Sequence, residues 1–336
     1  MIIAVDAMGG DNAPDIVIEG VAQALSENKS IEKIVLVGDT DRVSKLLPEH
    51  NLTNHPKLEL HHATQVVEMH EPSTLAIRGK KDSSITVCTN LSKEGKVDAV
   101  VSAGHTGAAV ASSVVRMRNL EGVLRPGIVT PFPTPDGEFV LVDAGATPEC
   151  TPENLVQFAL MGNIYAQKIL KIDNPRIGLL SNGEEESKGN ELTKGTLKLL
   201  REVKNINFIG NIEGKEIFDN KVDVVVCDGF TGNIVLKFAQ GLAKGLFKMI
   251  KEKVEANPKR KVGALLARNA FREVKRASDH AEYGGAPLMG VNGVCIIGHG
   301  SSCPKAVKNA IRVATEFIQF GVNDAIIERI KDYQNQ

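Results

Sequence analysis

The chain has 336 residues, of which 42% are hydrophobic and 24% charged, and these values are ordinary for a globular protein. A chain of this length buries enough surface to hold a core without disulfides or a structural metal. Its 40 basic and 41 acidic side chains give a formal charge of -1, and only 4% of its residues are aromatic. Nucleic acid is therefore not indicated as a partner, because its binding needs concentrated positive charge or aromatic stacking surfaces.

The cysteines and the start of the chain indicate the compartment. Five widely spaced cysteines contain no Cys-x-x-Cys pattern, so neither a disulfide framework nor a zinc site is indicated. The chain begins with a strand-like Ile-Ile-Ala-Val rather than a basic leader, and no apolar run approaches the roughly 18 residues of a membrane span. We therefore expect a protein of the reducing cytoplasm that is neither secreted nor transmembrane.

Short β-branched segments alternate with longer segments of helical period, a pattern typical of βα units around a parallel sheet. The predicted strands cover residues 2–7, 34–38, 58–63, 99–102, 128–131, 139–143, 177–181, 206–210, 222–227 and 294–298. The predicted helices cover residues 15–26, 74–91, 106–118, 152–170, 192–203, 234–254 and 305–330. With no linker, repeat or composition break, residues 1–336 are predicted to form a single α/β domain with a large, mostly parallel sheet covered on both faces.

Residues 234–276 depart from this pattern. A long helical segment is followed by Asn-Pro and by a second amphipathic stretch at residues 262–274, which predicts a helical hairpin projecting from the body. Between residues 259 and 276, seven basic residues accompany a single acid, and apolar side chains lie among them. The candidate contact residues are Lys259, Arg260, Lys261, Leu265, Leu266, Arg268 and Arg272. Such a segment suits an anionic membrane or an acidic carrier protein, and a dimerisation hairpin with solvated charges is the alternative.

Glycine-rich loops follow six of the predicted strands, at the carboxyl ends where open parallel sheets bind ligands. They contain residues 6–14, 102–107, 143–146, 182–184, 228–233 and 298–302. Glycine permits close approach of backbone N–H groups, and helix N-termini attract negative charge, so these loops suit a phosphate group or an oxyanion. Turn geometry and N-capping explain any single loop equally well. We expect the six loops together to lie along one rim of the sheet.

Titratable side chains in these loops offer candidates for proton transfer. His105 and His299 lie within glycine-rich turns, and a neutral-pH proton carrier is one interpretation of them. A loop imidazole that is hydrogen-bonded to the backbone is the other. Asp6, Asp143 and Asp228 each end a strand, where a magnesium site is less favoured than capping of loop N–H groups. We therefore predict no metal site.

Four motifs resemble those of the bacterial phosphate acyltransferase family, and the resemblance extends over nearly the whole chain. They are Val-Asp-Ala-Met-Gly-Gly-Asp-Asn-Ala-Pro at residues 5–14, Ser-Ala-Gly-His-Thr-Gly-Ala at 102–108, Asp-Gly-Phe-Thr-Gly-Asn at 228–233 and Tyr-Gly-Gly-Ala at 283–286. The sequence has His105 and Thr147 where the family pattern has Asn, and Ser-Asn-Gly at residues 181–183 where Asn-Ile-Gly is usual. If His105 replaces Asn as a donor, we expect a pH optimum shifted toward acid.

The resemblance implies an enzyme that transfers a fatty acyl group from acyl carrier protein to inorganic phosphate and forms acyl phosphate for phospholipid synthesis. It implies a cytoplasmic homodimer without a cofactor, attached peripherally to the inner face of an anionic membrane. A membrane glycerol-phosphate acyltransferase is a further expected partner. The implied fold is the three-layer α/β/α fold of isopropylmalate dehydrogenases and phosphotransacetylases.

In this reaction a phosphate oxygen attacks the thioester carbonyl, and backbone donors and cations stabilise the negative charge that develops. The candidate phosphate and oxyanion contacts are Gly9, Gly10, Asn12, Thr106, Gly107, Lys188, Thr231, Gly232, Asn233 and Lys237. The candidate catalytic groups for the proton on phosphate are His105, Asp11 and His299. A thiol of pKa about 8.5 leaves readily, so the main task is positioning and no covalent enzyme intermediate is required.

Three other functions share parts of this pattern. A short-chain phosphate acetyltransferase would use coenzyme A and would need a nucleotide pocket. A decarboxylating dehydrogenase of similar fold would need an arginine cluster and a set of metal-binding aspartates, neither of which is recognisable here. A noncatalytic regulator would use the same phosphate loops to sense a ligand.

Overall fold

A large mixed sheet organises the computed structural model, which describes residues 1–277 and 279–336. Its strands are β1 (Ile2–Asp6), β2 (Lys33–Gly38), β3 (Leu58–His62), β4 (Ala99–Ser102), β5 (Gly127–Thr134), β6 (Gly137–Val142), β7 (Arg176–Ser181), β8 (Asn207–Glu213), β9 (Val224–Val226), β10 (Ala286–Met289) and β11 (Val294–Ile297). The helices are α1 (Asp15–Glu27), α2 (Thr40–Leu46), α3 (Ser73–Gly79), α4 (Ser84–Lys93), α5 (Thr106–Arg116), α6 (Pro152–Lys168), α7 (Glu191–Glu202), α8 (Gly229–Glu255), α9 (Pro258–Leu266), α10 (Arg268–Ala277), α11 (His280–Tyr283), α12 (Pro304–Gln319) and α13 (Val322–Gln334).

The strand order is β3-β2-β1-β4-β11-β10-β5-β6-β9-β7-β8. The first five strands in this order are parallel to one another, and so are the last four. The pairs β11–β10, β10–β5 and β5–β6 are antiparallel. Three reversals are an odd number, so the last four strands run opposite to the first five.

Alternating side chains of the strands fill two apolar cores, one on each face of the sheet. Ile3 and Val5 of β1 lie in one core, whereas Ala4 between them lies in the other. In β4, β9 and β11 every residue is buried, as expected for strands that are covered on both faces. The predicted α/β fold with a mostly parallel sheet is confirmed.

Several predicted elements have different boundaries in the structure. The helix predicted at residues 74–91 is two helices, α3 and α4, and that predicted at 305–330 divides at Gly321, which has a left-handed φ of 59°. Helix α8 begins five residues earlier than predicted, because the Asp228 side chain caps it by accepting the Thr231 N–H. Short α2, α11 and β10 were not predicted, since four to seven residues carry little periodic signal.

The predicted projection is present as α8, α9 and α10. Helix α8 contacts α9, which contacts α10, so the second arm is two helices rather than one stretch. Of the 27 residues of α8, only Gly229 and Gly232 are buried. Among the described helices, none combines the length and the apolar character needed to cross a bilayer.

Candidate functional site: two rims of glycine-rich loops

The six glycine-rich loops follow strands that run in opposite directions, three loops for each direction. They therefore do not form the single rim that the sequence predicted. Adjacent strands β1, β4 and β11 lead into the first rim, which we define as residues 7–14, 103–107 and 298–303. Adjacent strands β6, β9 and β7 lead into the second rim, residues 143–151, 182–190 and 228–233. The motifs carry no signal for the three antiparallel pairings that reverse the sheet between the two rims.

Each rim combines three helix N-termini with a buried aspartate that ends a strand. Helices α1, α5 and α12 begin at the first rim, and α6, α7 and α8 begin at the second. Unpaired N–H groups and the helix dipole make such ends favourable for anions. Asp6 organises the first rim and Asp143 the second, which supports the capping interpretation of both aspartates over the magnesium interpretation. Among the described residues, no group of three or more His, Cys, Asp or Glu is arranged to hold a metal ion.

Asp6 joins two loops of the first rim. Its Oδ1 accepts the Met8 N–H at 3.2 Å, and its Oδ2 accepts the Ser102 hydroxyl at 2.7 Å. Burial raises the pKa of Asp6, although hydrogen bonds from Ser84 and Ser102 act in the opposite direction. The carboxylate therefore holds the end of β1 against the end of β4.

The backbones of the three loops of the first rim lie close together. Gly10 has a φ of 116°, and a Cβ there would lie 3.2 Å from the carbonyl oxygens of Ala103 and Gly300. The Asp11 N–H donates to the Gly300 carbonyl at 2.8 Å, so Asp11 lies beside the loop that contains His299. Asn12 is exposed on the same rim.

Both candidate histidines take part in local hydrogen bonds. His105 is the N-cap of α5, and its Nδ1 accepts the Ala108 N–H at 3.2 Å. His299 Nδ1 lies 2.8 Å from the Ser301 hydroxyl and accepts the Ser301 N–H at 3.2 Å. The structure thus gives each imidazole a structural role, and a catalytic role for either remains a prediction.

Two of the predicted backbone donors are already paired within the protein. The Gly9 N–H donates to the Asp6 carbonyl at 3.4 Å, and the Gly232 N–H donates to the Asp228 carbonyl at 2.9 Å. The loop and helix geometry that creates the rims thus uses both N–H groups, and a phosphate or oxyanion contact at Gly9 or Gly232 stays a prediction. Thr106 and Gly107 lie in the first turn of α5, where the helix offers no carbonyl partner, and Thr106 is exposed.

The second rim encloses a cavity of about 460 Å³. Its lining includes the end of β7, the residues before α7 and α8, and the first turns of those helices, namely Ser181, Asn182, Asn190, Thr193, Asp228 and Thr231. The volume is within the range of about 300–1,000 Å³ typical of small-molecule sites. Ser181 and Thr193 were not among the predicted site residues, because Ser181 was noted only as a departure from the family pattern and Thr193 lies in no recognised motif.

Side chains in this cavity also serve as helix caps. The Asn190 side chain accepts the Thr193 N–H at 2.9 Å, and the Asn182 side chain accepts the Gly189 N–H at 2.8 Å. The Thr231 N–H and hydroxyl both donate to the Asp228 carboxylate, at 2.8 and 2.7 Å. Thr231 is therefore a cap partner, and its role as a phosphate contact stays a prediction.

The cations and the amide predicted for the phosphate site lie around this rim. Lys188 is exposed in the loop before α7, where its stem packs on Gly183. Asn233, in the second turn of α8, lies beside Gly145, and Lys237 is exposed one turn further along. The structure thus places Lys188 and Asn233 in the second rim, with Lys237 one helical turn beyond it, and Asp11, His105 and His299 in the first.

Two cysteines lie near the second cavity, but neither favours nucleophilic catalysis. Burial raises the pKa of Cys150 to about 12 and that of Cys227 well above its ordinary value, and the nearby Asp143 carboxylate adds to both shifts. The reactive form of cysteine is the thiolate, which these environments suppress. The geometry therefore disfavours an acyl-cysteine intermediate at Cys150 or Cys227.

Comparison with solved structures defines the class of fold. A phosphotransacetylase from Streptococcus pyogenes matches with a TM-score of 0.64 at 19% identity, covering 95% of this chain and 94% of that one. A branched-chain phosphotransacylase from Enterococcus faecalis V583 matches with a TM-score of 0.58 at 16% identity, covering 94% and 98%. At these identities the likeness shows the fold alone, which is that of the phosphotransacetylases.

Comparison with protein sequences then gives the family. A family model described as fatty acid synthesis protein matches residues 1–325. A phosphate acyltransferase of Desulfitobacterium hafniense (strain DSM 10664 / DCB-2) is 51% identical over 332 residues, covering 98% of this chain and 97% of its own length. That of Geobacter sulfurreducens is 47% identical over 331 residues, covering 98% and 94%. The chain belongs to the fatty acid synthesis protein family, and the resemblance to phosphate acyltransferases is confirmed.

Proposed function

We propose that this chain transfers a fatty acyl group from the thioester of acyl carrier protein to inorganic phosphate. An oxygen of hydrogen phosphate forms a bond to the acyl carbon, the carbon–sulfur bond breaks, and the phosphate proton passes to the departing sulfur. The products are acyl phosphate and the free thiol of the carrier. The observation that carries the proposal is 51% identity to a phosphate acyltransferase over 98% of the chain.

One cleft between the two rims would serve this reaction. Adjacent strands rotate by about 20–25°, so the six steps from β1 to β9 accumulate roughly 120–150° of twist. Because β9 runs opposite to β1, a twist of this size would turn the carboxyl ends of both strands toward the same side of the molecule. We propose on this ground that both rims contribute to one site.

Each rim supplies a different part of the proposed site. Thr106 and Gly107 offer first-turn N–H groups for phosphate, and Gly10 and Asn12 border them on the first rim. The cations of the second rim are Lys188 and Lys237, with Asn233 as an amide donor. Preorganised donors of this kind are typically worth about 10²–10³ in rate each. His105, Asp11 and His299 remain the candidates for the phosphate proton.

An apolar stripe on α8 begins within the second rim, at Phe230. Phe230, Ile234 and Phe238 are 64%, 53% and 67% exposed, and their spacing of four residues places them along one side of α8. Phe230 lies directly beside cavity-lining Thr231 in sequence. This stripe suits the hydrocarbon chain of a long acyl group, whereas an acetyl group has no use for it.

Thiol release tests the proposed activity. The purified protein is incubated with long-chain acyl carrier protein thioester and phosphate, and free thiol is followed with a chromogenic reagent. We expect phosphate-dependent release with the carrier thioester. Release only with acetyl-coenzyme A would instead indicate a short-chain acetyltransferase, and binding without release would indicate a ligand-sensing regulator.

A matched pair of lysine variants tests the assignment of the cations. Lys188→Gln removes a cation from the second rim, and Lys198→Gln removes another exposed cation from α7. We expect a rise of about tenfold or more in the KM for phosphate with Lys188→Gln only. Equal KM values in both variants would remove Lys188 from the site.

The projecting helices suit contacts with a second copy and with a membrane. Leu242, Leu246 and Met249 of α8 are 50–60% exposed, and their burial against a second copy would form the expected homodimer. Leu265 and Leu266 at the end of α9 lie among the cations Lys259, Arg260, Lys261, Arg268 and Arg272, all of which are exposed. That composition favours an anionic lipid surface, from which the acyl phosphate would pass to a membrane glycerol-phosphate acyltransferase.

A further inference from the structure

Asp143 is a buried carboxylate whose partners are four backbone N–H groups. Its Oδ1 accepts from Ile128 at 2.8 Å and from Gly145 and Ala146 at 2.9 Å, and its Oδ2 accepts from Thr147 at 2.6 Å. The residue is fully inaccessible to solvent. These bonds determine the path of residues 143–147, the loop that follows β6.

The first turn of α8 rests on this loop. The Gly229 N–H donates to the Thr147 carbonyl at 3.0 Å. A Cβ on Gly229 would lie 2.5 Å from Asp143 Oδ2, and a Cβ on Gly232 would overlap the Asp143 carbonyl oxygen. The first turn of α8 therefore lies as close to the loop as its glycines allow. A shift of the loop would shift the start of the helix.

The position of Asn233 depends on the packing of α8 against this loop. A Cβ on Gly145 would lie 3.4 Å from the Asn233 Cβ, so the Asn233 side chain lies directly beside the loop. Thr231, on the same turn, lines the cavity of the second rim. Asp143 thus holds the segment that presents these two side chains, although its own carboxylate is closed off from solvent.

We propose that Asp143 is a positioning residue for acyl transfer, which holds the first turns of α8, and with them Asn233, in register with the reacting phosphate. This inference rests on the proposed function. A carboxylate is required because both oxygens accept N–H groups, Oδ1 from three residues and Oδ2 from Thr147. The amide of Asn would retain one acceptor and present a donor to the other side.

Asp143→Asn tests this inference because it preserves size and removes one acceptor. The Asn side chain would either lose the Thr147 bond or turn a donor toward it, and the Thr147 carbonyl under Gly229 would shift. Displacement of a catalytic group by about 1 Å can cost about 10²-fold in rate. We expect kcat to fall between tenfold and a hundredfold, while the KM for the carrier thioester changes less than threefold.

Asp223→Asn is the matched control, since Asp223 is another poorly exposed carboxylate at the opposite end of the same group of strands. It precedes β9, is 8% exposed and accepts the Arg176 backbone N–H at 2.7 Å. Its replacement perturbs the same half of the sheet without touching a rim. We expect wild-type kcat with lower resistance to urea. Equal losses of kcat in both variants would reduce the role of Asp143 to general stability and overturn the inference.

Gly229→Ala provides a second route that leaves the carboxylate in place. The added methyl group would collide with Asp143 Oδ2 and lift the helix from its loop, so kcat should fall again. Wild-type kcat in either Asp143→Asn or Gly229→Ala would overturn the inference. If Asp143→Asn does not fold, Gly229→Ala decides. Absence of thiol release by the wild-type protein would be a failure of the proposed function, which is a separate outcome.

Discussion

The double variant Leu265→Glu/Leu266→Glu tests whether the end of α9 inserts into a membrane. The two side chains are 63% and 83% exposed, so they have most of their surface to transfer into lipid. Burial of a whole leucine contributes about 1.5–3 kcal/mol, and the exposed fractions reduce this to about 2–4 kcal/mol for the pair. Loss of that contribution predicts a decrease in vesicle partitioning of roughly 30- to 1,000-fold, since 1.4 kcal/mol corresponds to a factor of ten.

Flotation with vesicles that contain anionic lipid measures this partitioning. The added carboxylates also oppose the neighbouring cations, each of which is worth about 1 kcal/mol near an anionic surface. Val115→Glu is the control, because Val115 is 59% exposed on α5, outside the projecting helices. We expect the control to bind like the wild type, and both variants to release thiol normally in solution. Unchanged vesicle binding by the double variant would refute membrane insertion at this site.

Three further predictions concern the rims and the sheet. Cys150→Ser and Cys227→Ser should each retain turnover within about threefold, because the raised thiol pKa disfavours a thiolate nucleophile; a trapped acyl-cysteine in mass spectra would contradict this. His105→Ala should lower the free energy of unfolding by about 1 kcal/mol and His105→Asn by much less, since asparagine is a good N-cap; equal losses in urea titrations would disprove the capping role. Burial raises the pKa of Asp223, but the hydrogen bonds and charge of Arg176 outweigh burial and lower it below its ordinary value. The ion pair thus contributes fully to the free energy of unfolding above the unfolded-state Asp pKa of about 3.9. That contribution is lost as the pH falls through the pKa of Asp223 in the folded protein. Asp223→Asn should therefore flatten the loss of stability measured below pH 4, and an unchanged slope would contradict the assignment.

Much of the fold follows from local patterns. All ten predicted strands exist, with ends that differ by at most three residues, because β-branched runs between turn residues are a short-range signal. The boundary of α5 at Thr106 was correct, since His105 in a glycine-rich turn begins the helix. The split between α3 and α4 was missed, as both halves have the same helical period.

The candidate site was less accessible to prediction than the fold. Glycine-rich motifs identified all six loops, but the same geometry that requires glycine uses the N–H groups of Gly9 and Gly232 within the protein. Thr193 lines the second cavity without any motif to mark it. Cavity lining depends on which loops become neighbours, and that depends on the order of strands in the sheet.

By itself, the sequence determined the class of fold, the positions of the phosphate-type loops and the family, because each depends on residues close together in the chain. Only the tertiary structure showed that the loops form two rims of three. Strand direction is set by pairings between distant segments, and the three antiparallel pairs between β11 and β6 join residues as far apart as Ile128 and Leu288. Such pairings depend on the packing of both cores, which no local motif encodes.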